Sequence, residues 1–333
     1  MKKFAYWIVP VFISVLVLLI VLRLTSWTDF SQVWEQLTWK WVIWGCVFYF
    51  TEITLQGLRV NLIFSDFTLP LVKVVSISNL HNFINKVTPA RLGELTFPVL
   101  FNRYLNVCPV RGLSVLILAR LSDLFIVLVA FSLVALAQII KESLFGFLWI
   151  LVLLWIGVFL GFGILMNEDV WNQITERIRT RRWPGFLDRI IFRLVDLVKD
   201  IGTTVKETRQ RKMLLPILSY SLIMWLLIYL VFIVLSWSVN LTFTLSDILI
   251  AASFAILGTI LPVGGIGHIG NLEAGWTIGL IAAGTDPSNA SLSALVIGIM
   301  TTSYAALLAL FSFLFLEIGF QLRRHSNKIH QQL

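Results

Sequence analysis

Apolar residues in this chain come in long stretches, not at the alternating spacing of strands. Phe4–Leu22, Trp41–Phe64, Gly112–Ile140, Leu144–Met166, Leu214–Val239 and Leu292–Leu316 are each nearly continuous. Each approaches or exceeds the ~20 apolar residues that carry a helix across a bilayer. Two further regions, Leu69–Tyr104 and Ile248–Gly284, are apolar but broken by proline, glycine and charge. A transmembrane β-barrel would instead alternate apolar and polar residues over ~10-residue strands. The pattern predicts six spans and two broken helical segments.

Polar residues between the stretches set their direction, because cytoplasmic loops collect Lys and Arg. Lys2 and Lys3 put the N-terminus inside, and the second span returns the chain to the cytoplasm near Lys73. The first broken region ends among Arg103 and Arg111, so both its ends are inside and it should enter and turn back. The next two spans lead to residues 167–213, which hold eleven Lys/Arg and seven Asp/Glu. The second broken region is flanked by Ser236–Ser246 and Thr285–Ser291, which have neither Lys nor Arg, so both its ends are outside. The last span leads to a tail with Arg323, Arg324 and Lys328.

The parity closes on an all-α polytopic membrane protein. It has six transmembrane spans and two oppositely oriented re-entrant helical hairpins in an inverted repeat. One transmembrane domain over 1–333 would hold the first repeat at 41–140 and the second at 214–316. Inverted repeats with broken helices place a substrate site near the midplane, where the repeats meet. The two hairpin tips are therefore expected to approach one another.

Residues 167–213 form a cytoplasmic amphipathic connector. Leu187, Ile190, Ile191, Leu194, Leu197, Val198, Ile201 and Val205 recur at helical spacing, while Arg189, Arg193, Lys199 and Lys206 fall largely on the other face. Two readings fit: an interfacial helix on an anionic leaflet, or a linker helix packed on the rest of the protein.

Composition agrees with the pattern. Hydrophobic types make up 58%, charged residues 13%, and the mean hydropathy is +0.88, so no charged surface for a soluble enzyme can be assembled. The net charge of +8 is interleaved with acids, which argues against nucleic acid as a partner. Cys46 and Cys108 have no spacing for a disulfide or a metal site. Met1–Arg23 reads as a retained first span, since its apolar run is too long for a signal peptide. Most tryptophans, among them Trp7, Trp27, Trp39, Trp41 and Trp237, fall near span ends as an aromatic belt does. The expected location is the plasma (inner) membrane, with both termini cytoplasmic.

The candidate chemistry lies at the tips and inside the spans. The first tip reads Thr88-Pro89-Ala90-Arg91-Leu92-Gly93-Glu94. The second reads Pro262-Val263-Gly264-Gly265-Ile266-Gly267-His268-Ile269-Gly270-Asn271-Leu272-Glu273. Each has proline, glycine and then a helix opening beside a carboxylate. Glycine-rich turns into helix N-termini present backbone N–H groups to anions, and a lipid phosphate is a natural ligand. The bland reading of each tip is a helix break that fills the core. Glu52, Gln56 and Arg59 share one face of the second span, and charges at that depth are functional candidates by default. Arg120 and Asp123, three residues apart, could pair as a structural tie. Lys86 and Arg103 can snorkel to the cytoplasmic interface, and His81 and His268 can be satisfied polar residues. No metal-ligand set, nucleophile triad or nucleotide motif is present in the sequence, so neither cofactor nor metal is expected.

The run Asn79–Glu94, the later Ala119-Arg120-Leu121-Ser122-Asp123, and the glycine-rich Pro262–Gly267 followed by Leu272-Glu273 together resemble the transmembrane region of lysylphosphatidylglycerol synthases. That family also holds stand-alone flippase-like proteins. The resemblance covers most of the chain, with an expanded spacing at His268–Asn271. It implies a lipid flippase or a component of lipid-linked sugar transport. It does not imply lysyl transfer, which in fused members belongs to a soluble aminoacyltransferase domain that is not expected here.

The leading expectation is translocation of a phospholipid or polyprenyl-linked headgroup between leaflets, by a transporter more than an enzyme. Arg91, Gly93, Glu94, Arg120, Asp123, Gly264, Gly265, Gly267 and Glu273 would bind the headgroup and phosphate. Glu52, Arg59 and His268 would line the cavity or carry a coupling proton. The alternatives are an accessory subunit of a lipid or glycan synthase, and a membrane transferase using Glu94 or Asp123 as base. Membrane lipids, such a synthase and a second copy of the chain are the candidate partners.

Overall fold

The computed structural model describes residues 27–64, 69–88, 93–139, 199–208, 210–260 and 270–330, with scattered positions between 152 and 195. Every regular element among them is helical: α1 (Trp27–Glu35), α2 (Trp39–Ile63), α3 (Leu71–Val87), α4 (Thr96–Leu105), α5 (Pro109–Ile139), α6 (Leu214–Ser238), α7 (Leu245–Ile260), α8 (Asn271–Ala282) and α9 (Pro287–His330).

Three described helices are long and apolar enough to cross a membrane: Pro109–Val134, Leu214–Ser238 and Pro287–Gly319. The protein is an integral membrane protein. Helix α2 has the length of a span, about 37 Å at 1.5 Å per residue, but carries Lys40, Glu52 and Arg59. The expected span Phe4–Leu22 lies outside the described residues, and Leu144–Met166 is described only at Val152, Trp155, Ile156, Gly157 and Leu160, all of them helical. On α6, Leu215, Leu222, Leu226, Leu230 and Trp237 are exposed along one stripe, while Ile217, Met224, Val231 and Leu235 are buried on the other. With no water to drive the exposed stripe inward, such a face is at home against acyl chains.

The chain divides into two compact units. The first comprises Met1–Gly57, Leu71–Thr96 and Ile223–Leu333. Within it α7 and α8 pack against one another as a helical pair. Glycines set its closeness: a Cβ on Gly279 would lie 2.6 Å from the Ala251 Cα, and one on Gly258 would lie 2.6 Å from the Asn271 carbonyl oxygen. Small residues let helix backbones approach in lipid, where packing rather than hydrophobicity holds helices together. The pairing of 279 with 251 and 258 with 271 makes the two helices antiparallel. Trp276, fully buried, stacks on Phe232 and donates its indole N–H to Ser293 Oγ at 3.0 Å, fixing α8 against α6 and α9.

In the same unit α2 meets α6 and α9. Trp41 packs edge-on against Trp237 at 4.9 Å, and the Tyr304 hydroxyl donates to the Val42 carbonyl at 2.6 Å. Helix α3 is buried despite Ser76, Ser78, Asn79, His81 and Asn85 among its enclosed residues. Two of its amides reach other helices: Asn82 and Gln56 pair through their amides, and Asn79 donates to Ser312 Oγ at 3.0 Å. After Thr88 the chain turns back, so that His81 Nδ1 lies 3.1 Å from Thr96 Oγ1.

The second unit comprises Leu58–Pro70 and Phe97–Leu222. Its aromatic centre is Phe64, Phe97 and Phe101, with ring centroids 5.0 Å and 4.5 Å apart. The helical stretch 199–208 is tied to α5: Arg111 donates to Thr204 Oγ1 at 2.6 Å and to Glu207 Oε2 at 2.7 Å, and Ser114 donates to Asp200 at 2.7 Å. Ile201 and Val205 are buried. For these residues the packed-linker reading of 167–213 is the one that fits; the rest of the amphipathic pattern lies outside the described residues.

Candidate functional site

The first unit contains a polar cluster built where two helices break. Helix α3 ends at Val87, just before the first tip; helix α8 starts at Asn271, just after the second. Lys86, in the last turn of α3, donates to Thr301 Oγ1 at 3.1 Å. Thr301 in turn donates to the Gly298 carbonyl at 3.2 Å, so its lone pairs are aimed at the ammonium. Glu273, in the first turn of α8, lies against Gly298: a Cβ at 298 would collide with its Oε1. The flanks of both breaks thus converge on one turn of α9, 298–301, whose two positions three residues apart share a face. Lys86 and Glu273, a cation and an acid, thus stand beside the same turn of α9.

Glu273 is held as well as buried. Gly270 adopts a φ of 93°, which glycine tolerates and other residues rarely do, and its N–H donates to Glu273 Oε2 at 2.7 Å. That closes a capping box, satisfying a donor the helix start leaves orphaned. One turn along α8, Thr277 is buried with its Oγ1 unpartnered. A Cβ on Gly93 would lie 2.7 Å from the Asn85 backbone nitrogen, so that glycine is needed for the first tip to fold back on α3.

Glu52 is buried on α2, one turn from Tyr49, whose ring lies 5.9 Å from that of Tyr304. It faces protein rather than lipid, as its depth requires. Arg59, seven residues on, belongs to the other unit and is 1% exposed. There it grips both oxygens of Asp123, Nη2 to Oδ2 being 3.0 Å, and Nη1 also donates to Ser221 Oγ at 2.5 Å.

Several expectations change here. The structure gives Asp123 a partner on another helix, Arg59, so that it links α2 to α5. Asp123 and Arg59 are thereby committed to a buried bidentate pair within one unit. Arg120 is half-buried on α5 and not without contacts. Lys86 does not merely snorkel: its ammonium turns to α9. Arg103 is exposed and lies over the Tyr104 ring, as snorkelling would have it. His81 is buried and meets Thr96 Oγ1 through Nδ1. Glu94 sits half-buried in the turn before α4. Arg91, Gly264, Gly265, Gly267 and His268 lie outside the described residues.

Lys86, Gly298, Thr301 and Ser221 were not among the sequence-derived site residues. Gly298 and Thr301 are a small and a polar residue three apart in an apolar span, a weak signal on its own. Their partners lie 215 residues away for Thr301, and 162 separate Ser221 from Arg59. No local pattern encodes such pairings.

The family model for the lysylphosphatidylglycerol synthase TM region matches residues 7–309. The chain belongs to that family. Neither a curated protein nor a solved structure matches it.

Proposed function

We propose that this member of the lysylphosphatidylglycerol synthase transmembrane-region family carries the headgroup of an anionic or zwitterionic lipid between the leaflets of the plasma (inner) membrane. Both termini would face the cytoplasm, and the two broken segments would enter as re-entrant hairpins from opposite sides. One observation carries the reading: the ends of two broken helices, one with a cation and one with a carboxylate, converge on a single turn of an otherwise apolar helix. Charge and irregular backbone at depth are tolerated where they line a polar cavity, and an inverted-repeat transporter puts its substrate there. In this reading Lys86 and Arg91 attract phosphate, Glu273 and Glu94 order the remaining polar groups, and the glycine-rich sequence at 264–267 would offer backbone N–H donors.

Purified protein in liposomes containing a fluorophore-labelled phospholipid tests this. The expected result is protein-dependent access of an impermeant quencher to inner-leaflet label, reduced at least tenfold by Lys86→Ala. Wild-type protein that moves no label, whether phospholipid or prenyl-phosphosugar, would overturn the transport reading in favour of a synthase subunit or a transferase.

A further inference from the structure

We propose that Lys86 and Glu273 form an exchange pair, in which a lipid phosphate that takes over Lys86 obliges Glu273 to bind a proton. Headgroup and proton then occupy the site together. This rests on the headgroup-transport reading and names how that site is coupled.

The argument is one of charge in a poorly solvated place. Without substrate, the ammonium of Lys86 and the carboxylate of Glu273 balance one another beside the same turn of α9, one on Thr301 and the other against Gly298. Among the described residues, a phosphodiester monoanion binding Lys86 would leave two negative charges for one positive. A net buried charge costs several kcal/mol, and a buried acid avoids that cost by changing its protonation state. The proton comes from water and ends on Glu273: one phosphate anion and one proton enter, and the net charge of the site is unchanged.

Glu273 cannot evade this by moving away. Its Oε2 accepts the Gly270 N–H, and its Oε1 lies against α9 at Gly298, where no side chain stands. The neighbouring elements offer little other compensation among the described residues. Helix α7, packed against α8, carries only Asp247, at its far end. The α9 stretch 294–303 has no titratable side chain, and Tyr304 is engaged with Val42. On α3, His81 meets Thr96 and Lys73 lies in the first turn, far from the break, so Lys86 is the cation beside the turn that Glu273 touches. Glu94, in the turn before α4, is an acid and cannot replace the lost cation.

The test is calorimetric titration of the purified full chain in detergent with dihexanoyl-phosphatidylglycerol. Repeating it in buffers of different ionisation heat counts the protons taken up. The wild type should take up about one proton per phosphodiester near neutral pH, and its affinity should fall by up to about tenfold per pH unit as pH rises. Glu273→Gln keeps an oxygen to accept the Gly270 N–H, so α8 stays capped. It should bind the probe with no proton uptake and little pH dependence. Wild-type binding without proton uptake, or undiminished uptake by Glu273→Gln, would overturn the exchange pair while leaving headgroup binding intact. If Glu273→Gln does not fold, the wild-type proton count and pH dependence decide alone. The same titration with a short prenyl phosphosugar distinguishes the polyprenyl source of the phosphate. Binding of neither probe would overturn the transport reading, and this inference with it.

Discussion

Arg59 holds Asp123 through both carboxylate oxygens, with each side chain nearly closed to solvent. The pair joins α2 to α5, and Ser221 of α6 adds a third attachment to the same guanidinium. Breaking a buried pair strands a charge, which costs more than the pair contributes. Asp123→Ala should therefore destabilise the protein by about 3–5 kcal/mol, and Arg59→Met with Asp123→Leu should recover most of that. The Arg111–Glu207 pair, whose glutamate is 42% exposed, is the contrast. Glu207→Ala should cost about 0.2–1 kcal/mol. Melting in detergent checks both; equal losses at the two sites would contradict the difference in burial.

The α7–α8 hairpin should tolerate no side chain at its contact glycines. Gly279→Leu would place its Cβ 2.6 Å from the Ala251 backbone, which no rotamer change relieves. The expected cost is at least about 1–3 kcal/mol, seen as a lower melting temperature and lower folded yield. Gly319→Leu, where nothing lies within 4 Å, is expected to melt with the wild type.

Gly298→Ala addresses the site rather than the scaffold. Its methyl would occupy the place of the Glu273 carboxylate. Lipid flipping should fall at least tenfold while the far-ultraviolet helix signal stays unchanged. Full flipping activity would mean that Glu273 can work from another position.

The topology has its own measurement. In a background with Cys46 and Cys108 changed to Ser, Ser246→Cys and Ser288→Cys should react with an impermeant thiol reagent from outside intact cells. Both positions lie in the first turns of α7 and α9. Reaction only after the cytoplasmic face is opened would reverse the orientation of the second hairpin.

Arg91 carries the remaining expectation from the first tip. Arg91→Ala should abolish flipping with insertion and melting preserved. Arg91→Lys should rescue poorly, because an ammonium lacks the planar fork that holds a phosphate by two parallel hydrogen bonds.

The sequence by itself determined the class of this molecule and where its helices break. Long apolar runs leave a chain no alternative to helices in lipid, because every backbone donor must be satisfied within its own segment. Proline and glycine then mark the interruptions: α3 ends one residue before Thr88-Pro89, and α8 begins at Gly270-Asn271. Burial of Glu52 and Arg59 was legible too, since a charge at that depth has nowhere else to go. Partnership was not. Asp123 pairs with an arginine 64 residues away on another helix, and Lys86 reaches Thr301 on α9, 215 residues away. Those choices depend on which helices are neighbours, and neighbours are fixed by close packing at Gly258, Gly275 and Gly279 and by polar bridges such as Asn79–Ser312. Periodicity within one segment reports which face is polar. Only the assembled helices decide what that face meets.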